Sequence, residues 1–320
     1  MTNCCPVCGS SRTNCLREGV KGGKVKKEAA IRVFHCSSCD LAFLETWDDP
    51  ERVYGFYSGD QYVFSPDQYQ GPPPKFNDYE VYLQDVEPFL RSDASILDIG
   101  CGDGTFLRAV KDRVGKVQGI EITQAQLKEL RRAGIPVWDK PLQECRPDEP
   151  FDIVIMHALL EHIPRVVDFL EDLKRFIRPG SMVFIAVPHG LDPIASFYDV
   201  PAYRDFFFRE YHLYYFTEKS LQKLLTKAGF ECVFTPHQAA SITNHFHWIH
   251  MAKGQSGSAD YTSVKLSSPL LREVTPGGRK FTDILADVDD FYRLKLQEAG
   301  VGDLLHCRAW LPGSPAEKRD

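Results

Sequence analysis

The chain has 320 residues, of which 43% are hydrophobic and 26% are charged, and its formal net charge is −6 at pH 7. This composition is typical of a soluble globular protein with a full core, and the acidic balance argues against a nucleic-acid partner, because phosphate binding needs a basic face. No run of about 20 apolar residues predicts a membrane span, and the N-terminus lacks the apolar core of a signal peptide, so we expect a cytoplasmic protein without a membrane partner.

Two C-x-x-C pairs lie near the start of the chain. Their four cysteines are Cys5, Cys8, Cys36 and Cys39. In a chain expected in the cytoplasm, clustered cysteines bind metal more often than they form disulfides, and this spacing predicts one tetrahedral Zn²⁺. Four thiolate ligands leave no position for water, so the predicted zinc is structural. Residues 1–45 therefore predict a zinc ribbon, with Cys4 and Cys15 outside the metal site.

Residues 46–76 are rich in tyrosine, phenylalanine, proline and glycine and have little helical periodicity. They predict a linker that packs by its aromatic rings. Two interpretations stay open, since the segment could form a lid over a pocket or attach the zinc module to the main domain.

From residue 77 to residue 253, predicted strands and helices alternate. The predicted strands cover 95–99, 116–121, 135–138, 151–156, 181–187, 230–235 and 245–252. The predicted helices between them cover 78–91, 104–113, 124–133, 165–177 and 217–228. Alternation of this kind predicts an α/β domain with a doubly wound, mostly parallel, seven-stranded sheet.

A glycine-rich turn follows the first predicted strand of this sheet. Asp98 is followed by Gly100, Gly102 and Gly104, which allow a tight turn and a close approach of the backbone to a ligand. Glu121 ends the second strand, where a carboxylate can accept hydrogen bonds from ribose hydroxyls. The spacing of this acid suits NAD and other adenosine cofactors alike, but the glycines lack the last step of the dinucleotide fingerprint.

Four segments, in this order and spacing, resemble the successive motifs of class I S-adenosylmethionine-dependent methyltransferases. They are Ile-Leu-Asp-Ile-Gly-Cys-Gly-Asp-Gly-Thr-Phe at 96–106, Gly-Ile-Glu at 119–121, the strand and turn at 151–162, and Arg-Pro-Gly at 178–180. The resemblance spans roughly residues 75–252 and implies a Rossmann-like fold with S-adenosylmethionine as the cofactor.

The resemblance also implies roles for individual residues. The backbone around Asp98, Gly100 and Gly102 would hold the methionine part of the cofactor, and Glu121 would hold its ribose. The residues that would border the adenine and the sulfonium are Leu142, Met156 and His157.

A zinc module in front of such a domain resembles the zinc-containing sugar C-methyltransferases and related natural-product and glycan methyltransferases. The segment 211–217, Tyr-His-Leu-Tyr-Tyr-Phe-Thr, is similar to the segment before the last helix in that group. His212 fits the family's active-site histidine, although Tyr211 stands where the family has glutamate. The resemblance implies a small-molecule acceptor, a sugar or a natural-product intermediate.

Methyl transfer from a sulfonium needs alignment and a nucleophile freed of its proton, because the methyl group is already an activated electrophile. A histidine suits proton removal near neutral pH. His162, His189 and His212 are the candidate bases, since each lies just beyond a predicted strand or at the mouth of the sheet. Which of them acts, and whether oxygen, nitrogen or carbon accepts the methyl group, stays open.

Two further segments complete the predictions. Residues 192–215 contain many aromatic residues and predict either the acceptor pocket or a packed helical insert. Residues 254–320 read as a linker, a helix over 281–299, a strand over 303–310 and a tail. This extension would pack on the domain itself or form the contact of a homodimer.

Two other functions compete with the first. One is an RNA methyltransferase whose zinc module reads nucleic acid through the lysine-rich turn at 21–27. The acidic chain and the lack of an Asn/Asp-Pro-Pro-Tyr motif after the fourth strand argue against it. The other is a binding protein that keeps the fold without turnover, and nothing in the glycine turn indicates such decay.

Overall fold

The computed structural model describes residues 4–20, 31–49, 79–198, 200–254 and 274–313. The basic turn at 21–27 and nearly all of the aromatic segment at 46–76 lie outside these residues. No helix in the described ranges is both long and apolar enough to cross a membrane.

The described residues form eleven strands in two sheets. The strands are β1 (Thr13–Arg17), β2 (Val33–Cys36), β3 (Ala42–Leu44), β4 (Ser95–Ile99), β5 (Lys116–Ile120), β6 (Val137–Trp138), β7 (Phe151–His157), β8 (Ile177–Pro188), β9 (Tyr214–Tyr215), β10 (Glu231–His237) and β11 (Leu304–Trp310). The small sheet has the order β1-β2-β3-β9, and the large sheet has the order β10-β11-β8-β7-β4-β5-β6.

Nine α-helices flank these sheets in the described residues. They are α1 (Glu80–Val86), α2 (Thr105–Val110), α3 (Gln124–Arg132), α4 (Val166–Leu173), α5 (Pro193–Ser196), α6 (Pro201–Phe207), α7 (Glu218–Lys227), α8 (Ile242–Met251) and α9 (Phe281–Glu298). Helix α7 begins at the predicted cap, because the Thr217 hydroxyl accepts from the Ser220 amide and the Ser220 hydroxyl accepts from the Thr217 amide.

The large sheet has the predicted mostly parallel architecture. Strands β4, β5, β6, β7 and β8 run parallel to one another, and β11 is antiparallel to both of its neighbours, β8 and β10. Helices α1, α2 and α3 contribute to one buried cluster, whereas α4, α7 and the small sheet contribute to the other. The sheet is therefore covered on both faces, which explains the continuous apolar runs of its central strands.

The prediction of a closing strand at residues 245–252 is wrong. These residues belong to helix α8, which Ser241 caps by accepting a hydrogen bond from the Asn244 amide. The strand that completes the sheet is β11, which lies between β8 and β10. Its apolar residues, Leu305 and Cys307, are buried on one face, but polar residues alternate with them, so the segment does not read as a central strand.

The small sheet is attached to the large domain through β9, which comes from the second half of the chain. Ala42 lies opposite Tyr215, and Phe43 lies opposite Tyr214. Phe43 and Leu44 are buried in the same cluster as Tyr214 and Tyr215. The N-terminal residues are therefore packed into the domain rather than tethered to it.

Candidate active site

The glycine turn lies between β4 and α2 and has a backbone that requires glycine. Gly100, Gly102 and Gly104 all have positive φ, at 75°, 56° and 77°. A Cβ at Gly104 would also lie 2.5 Å from the Leu130 side chain. The turn is thus tight and packed against α3, with its amides on the edge of the sheet where ligands of such folds bind.

Glu121 joins the end of β5 to this turn. One carboxylate oxygen, Oε2, accepts from the Gly102 amide at 2.9 Å, and Oε1 accepts from the amides of Ile122 and Thr123 at 2.8 and 2.7 Å. A carboxylate offers about four acceptor positions, so one remains for a ligand hydroxyl. Glu121 therefore shapes the turn and can hold one hydroxyl without losing a backbone partner.

Asp98, at the end of β4, is almost completely buried beside this site. Burial raises the pKa of its carboxyl to about 8, and the nearby Glu121 charge raises it further in the same direction. Asp98 in turn adds to the upward shift of the Tyr82 pKa, which burial dominates. The free protein thus holds a proton on this carboxyl at neutral pH.

The residues proposed for the adenine and sulfonium region fall on both faces of the sheet. Leu142 and Met156 are buried within the larger cluster. His157 instead stacks on Tyr82 of α1, with ring centroids 4.6 Å apart. Burial lowers the pKa of His157 to about 3, and His306 contributes in the same direction, so this imidazole is neutral.

Glu161, His162 and His212 come together beyond the end of β7. The rings of His162 and His212 lie 4.8 Å apart. Nδ1 of His162 donates to the Tyr211 carbonyl at 2.8 Å, and its Nε2 lies 3.6 Å from Oε1 of Glu161. Glu161 is only 1% exposed, and neither of its oxygens has a hydrogen-bond partner within the part of the chain that the structure describes.

Burial shifts the pKa values in this cluster in the directions that favour the uncharged forms of its side chains. It raises the pKa of Glu161 to about 8 and lowers that of His162 to about 4. The pKa of His212 is lowered as well, by burial first and then by His162 and Arg209. The Arg209 guanidinium lies 4.2 Å from the centre of the Phe206 ring and donates to the Tyr211 hydroxyl.

Leu213 fixes the position of this cluster relative to the small sheet. Its amide donates to the Glu161 carbonyl at 2.7 Å, and its own carbonyl accepts from the Leu44 amide at 2.9 Å. The segment that carries His212 is therefore held between the turn after β7 and strand β3. One backbone hydrogen bond from the N-terminal module and one from the turn after β7 thus hold the residue that follows His212.

The four predicted metal ligands of the N-terminal module also come together. Sγ of Cys5 lies 3.6 Å from Sγ of Cys39, and Sγ of Cys8 lies 3.6 Å from Sγ of Cys36. All four sulfurs lie within 4.8 Å of one another. Zinc–sulfur bonds of about 2.3 Å separate tetrahedral ligands by about 3.8 Å, so the cluster has the dimensions of a zinc site.

The two cysteines predicted to lie outside the metal site are Cys4 and Cys15. Cys4 and Cys15 are not part of the cysteine cluster, and Cys15 is exposed on β1.

His189, the third candidate base, is not part of the Glu161 cluster. It is buried just after β8 and lines a cavity of about 330 Å³ with Asp40 and the first residues of α7. The structure thus brings two of the three candidate histidines together and places the third beside the start of α7.

The aromatic insert at 192–215 is mainly a packed core. Tyr203, Phe207 and Tyr215 are buried, and the Tyr203 hydroxyl donates to Asp192 at 2.7 Å. Only Phe197 and Tyr198 of its large apolar residues are strongly exposed among those described. Core packing therefore accounts for most of these rings.

Comparison with known proteins identifies the domain around this site. Residues 76–234 match the Methyltransf_23 family, which is described as a methyltransferase domain. This region is a methyltransferase domain. The matched range holds the glycine turn, Glu121 and the Glu161 cluster, and it ends within β10, before strand β11.

Curated relatives match shorter segments of the chain. A trans-aconitate 2-methyltransferase of Azoarcus sp. is 28% identical over 35% of this chain and 43% of its own length. A ubiquinone biosynthesis O-methyltransferase of Pseudomonas paraeruginosa is 29% identical over 29% of this chain and 43% of its own. The chain thus covers less than half the length of these relatives. A methyltransferase structure from Archaeoglobus fulgidus covers 78% of this chain and 100% of its own, with 17% identity and a TM-score of 0.49.

Sequence reasoning missed two residues of interest. Glu161 directly precedes His162, and that adjacency was the available signal. His306 lies on β11 and its Nδ1 donates to Asp85 of α1 at 2.9 Å. Without knowing that β11 enters the sheet, the sequence offers no reason to place His306 beside α1 or His157.

Proposed function

We propose that this protein transfers a methyl group from S-adenosylmethionine to a small-molecule acceptor, a sugar or another natural-product or glycan intermediate. One observation carries the proposal. The glycine turn, Glu121 and the Glu161–His162 turn follow three neighbouring parallel strands at their carboxyl ends, where such sheets bind ligands. The names of the curated relatives, a trans-aconitate 2-methyltransferase and a ubiquinone biosynthesis O-methyltransferase, support a small acceptor.

We propose that residues beyond β4 and β5 hold the cofactor, which supplies a methyl group on a positively charged sulfur. The backbone at Gly100 and Gly102, with Asp98 beside it, would hold the methionine part. Glu121 would accept from the ribose through its unused acceptor position. The residues that would border the adenine and the sulfonium are Leu142, Met156 and His157.

The acceptor is proposed to lie against His162 and His212, which assist the removal of its proton. Their proximity to each other, beyond the strand next to the glycine turn, supports this placement. His189 has weaker support as a base, because it lines a different cavity, beside the start of α7. Tyr211 and Arg209 would border the same space, since Arg209 donates to the Tyr211 hydroxyl.

We further propose that Cys5, Cys8, Cys36 and Cys39 bind one structural Zn²⁺. The sulfur separations support a tetrahedral ion, and the set leaves no open position for a substrate. The ion would stabilise the loops beside β2 and β3, and so hold the strand that pairs with β9.

Calorimetry with S-adenosylhomocysteine, followed by transfer of a labelled methyl group from S-adenosylmethionine, tests this function. We expect one binding site per chain and label in the small-molecule fraction of a metabolite extract. No binding of S-adenosylhomocysteine would contradict the proposal. Salt-sensitive incorporation of label into RNA would instead favour the RNA methyltransferase.

The pKa of Asp98 predicts a pH-dependent affinity for S-adenosylhomocysteine. Its carboxyl keeps a proton up to about pH 8 in the free protein, whereas the ammonium group of the ligand favours the ionised form. Binding then releases a proton, so affinity rises with pH below 8, by at most about tenfold per pH unit, and levels off above it.

Isothermal titration between pH 6 and 9 measures this dependence. The charged and titratable groups around Asp98 are Glu121, Tyr82 and Cys101. In the matched variant Asp98→Asn, the affinity for S-adenosylhomocysteine should no longer show the increase with pH that is assigned to the carboxyl. An equal slope in the wild type and the variant would assign the dependence to another group.

A further inference from the structure

In the Glu161 cluster, a ring nitrogen of His162 faces a carboxyl oxygen of Glu161. The Tyr211 carbonyl can only accept, so Nδ1 of His162 must be the donor. The lone pair of His162 is therefore on Nε2, the atom that lies 3.6 Å from Oε1 of Glu161. Two acceptors facing each other at this distance repel unless a proton or a cation lies between them.

His212 adds a third acceptor to the same place. Among the described residues, neither its buried Nδ1 nor either Glu161 oxygen has a hydrogen-bond partner. One ligand atom from each of Glu161, His162 and His212 lies within 4.8 Å of the others. A buried carboxylate without a partner is strongly unfavourable, so the arrangement requires a positively charged or proton-bearing occupant.

The donor set is one that proteins use for transition metals. Two imidazoles and one carboxylate bind catalytic zinc and non-haem iron, with positions left open for a further ligand. Metal bonds of about 2.1 Å separate tetrahedral ligands by about 3.4 Å, close to the observed 3.6 Å. The set differs from the cysteine cluster, whose four thiolates leave no open position.

The Glu161 side of the cluster is buried, whereas the His162 side is partly exposed to solvent. Glu161 is 1% exposed, whereas the His162 side chain is 14% exposed. Arg209 is the positively charged residue that acts on both histidines. A cation here would therefore be approached from the histidine side, and Arg209 beside it favours an acceptor that arrives with, or develops, negative charge.

We propose that Glu161, His162 and His212 bind one divalent transition-metal ion whose open position takes an oxygen atom of the methyl acceptor. The metal site stands on geometry alone, and the role of the acceptor rests on the proposed function. The acceptor is then a hydroxyl or enol compound. His162 and His212 then assist proton removal as ligands of the ion rather than as bases. The O–H bond of the acceptor breaks and the proton leaves to water, an O–CH₃ bond forms, and the electron pair of the broken S–CH₃ bond stays on sulfur.

Metal content measured by mass spectrometry after Zn²⁺ loading and desalting tests the site, with untagged full-length protein. We expect about two equivalents per chain in the wild type and one in Glu161→Gln. His250→Gln, an exposed histidine outside the cluster, is the matched control and should keep two. The wild-type count decides the question even if Glu161→Gln fails to fold.

Cobalt loading separates the two sites in the same samples. Cysteine ligands give an intense sulfur-to-cobalt charge-transfer band, which Glu161→Gln should retain, whereas the weaker bands of the second cobalt should disappear. A single, cysteine-bound equivalent in the wild type would overturn the proposal and leave a proton on Glu161 as the occupant. S-adenosylhomocysteine binding, measured in parallel, would still be present in that case and would be absent only if the proposed function fails.

Discussion

Replacing Glu121 with alanine is expected to weaken S-adenosylhomocysteine binding by about 100-fold or more, which corresponds to about 2.7 kcal/mol. The carboxylate accepts three backbone amides, one of which is that of Gly102, so the change removes a ribose partner and also releases the turn. Hydrogen bonds to a charged group contribute about 1.5–3 kcal/mol each. Isothermal titration calorimetry measures the loss.

Two variants make this result interpretable. Glu121→Gln keeps one oxygen acceptor, so its affinity should fall between those of the wild type and Glu121→Ala. Glu129→Ala removes a carboxylate on α3 that pairs with Arg132 at the surface, and it should bind as the wild type does. Equal affinity in Glu121→Ala and the wild type would remove Glu121 from the cofactor site.

Removing the proposed zinc is expected to lower the rate of methyl transfer but to leave the affinity for S-adenosylhomocysteine nearly unchanged. Cys36→Ser takes away one of four ligands and is expected to unfold the loops beside β2 and β3. The hydrogen bond from Leu44 to Leu213 would then be lost, and with it the position of His212. We expect methyl transfer to fall at least about tenfold, an effect of about 1.4 kcal/mol on the barrier.

The cofactor site should survive the same change, because Glu121 and the glycine turn are held by β4 and β5. S-adenosylhomocysteine affinity should therefore stay within about threefold of the wild type, or about 0.7 kcal/mol. Cys15→Ser, at an exposed cysteine outside the cluster, is the control for both measurements. Normal methyl transfer by zinc-free Cys36→Ser would show that the module does not position the acceptor site.

Local features of the sequence predicted the glycine turn and the strands beside it. Strand β4, the positive-φ glycines and Glu121 lie within one short segment, and each follows from rules that act over a few residues. The predicted bounds of β4 agree with the structure, and those of β5 differ by one residue. Glu121 was predicted as a ribose ligand, but its three backbone partners depend on how β5 meets the turn and were not visible.

Features that depend on distant pairing could not be predicted in the same way. Strand β11 alternates buried Leu305 and Cys307 with His306 and Arg308, and only its pairing with β8 and β10 makes it central. The proximity of Glu161 to His212 similarly depends on Leu213, which Leu44 of the small sheet holds in place. Both contacts join residues that are far apart in the sequence, so local sequence patterns do not predict them.

Part of the C-terminal extension packs on the domain itself, which is one of the two predicted alternatives. Its strand β11 completes the large sheet, so the alternative of packing on the domain itself applies to this part. Helix α9 exposes Val288, Phe291 and Leu294. The homodimer through this extension stays a prediction.

A crystal structure of the protein with S-adenosylhomocysteine bound tests the central claim most directly. We predict that the homocysteine part lies on the glycine turn, that Glu121 accepts from the ribose, and that the sulfur faces the space beside His162 and His212. A sulfur directed away from these histidines, with a different set of polar residues around it, would contradict the assignment of the acceptor site.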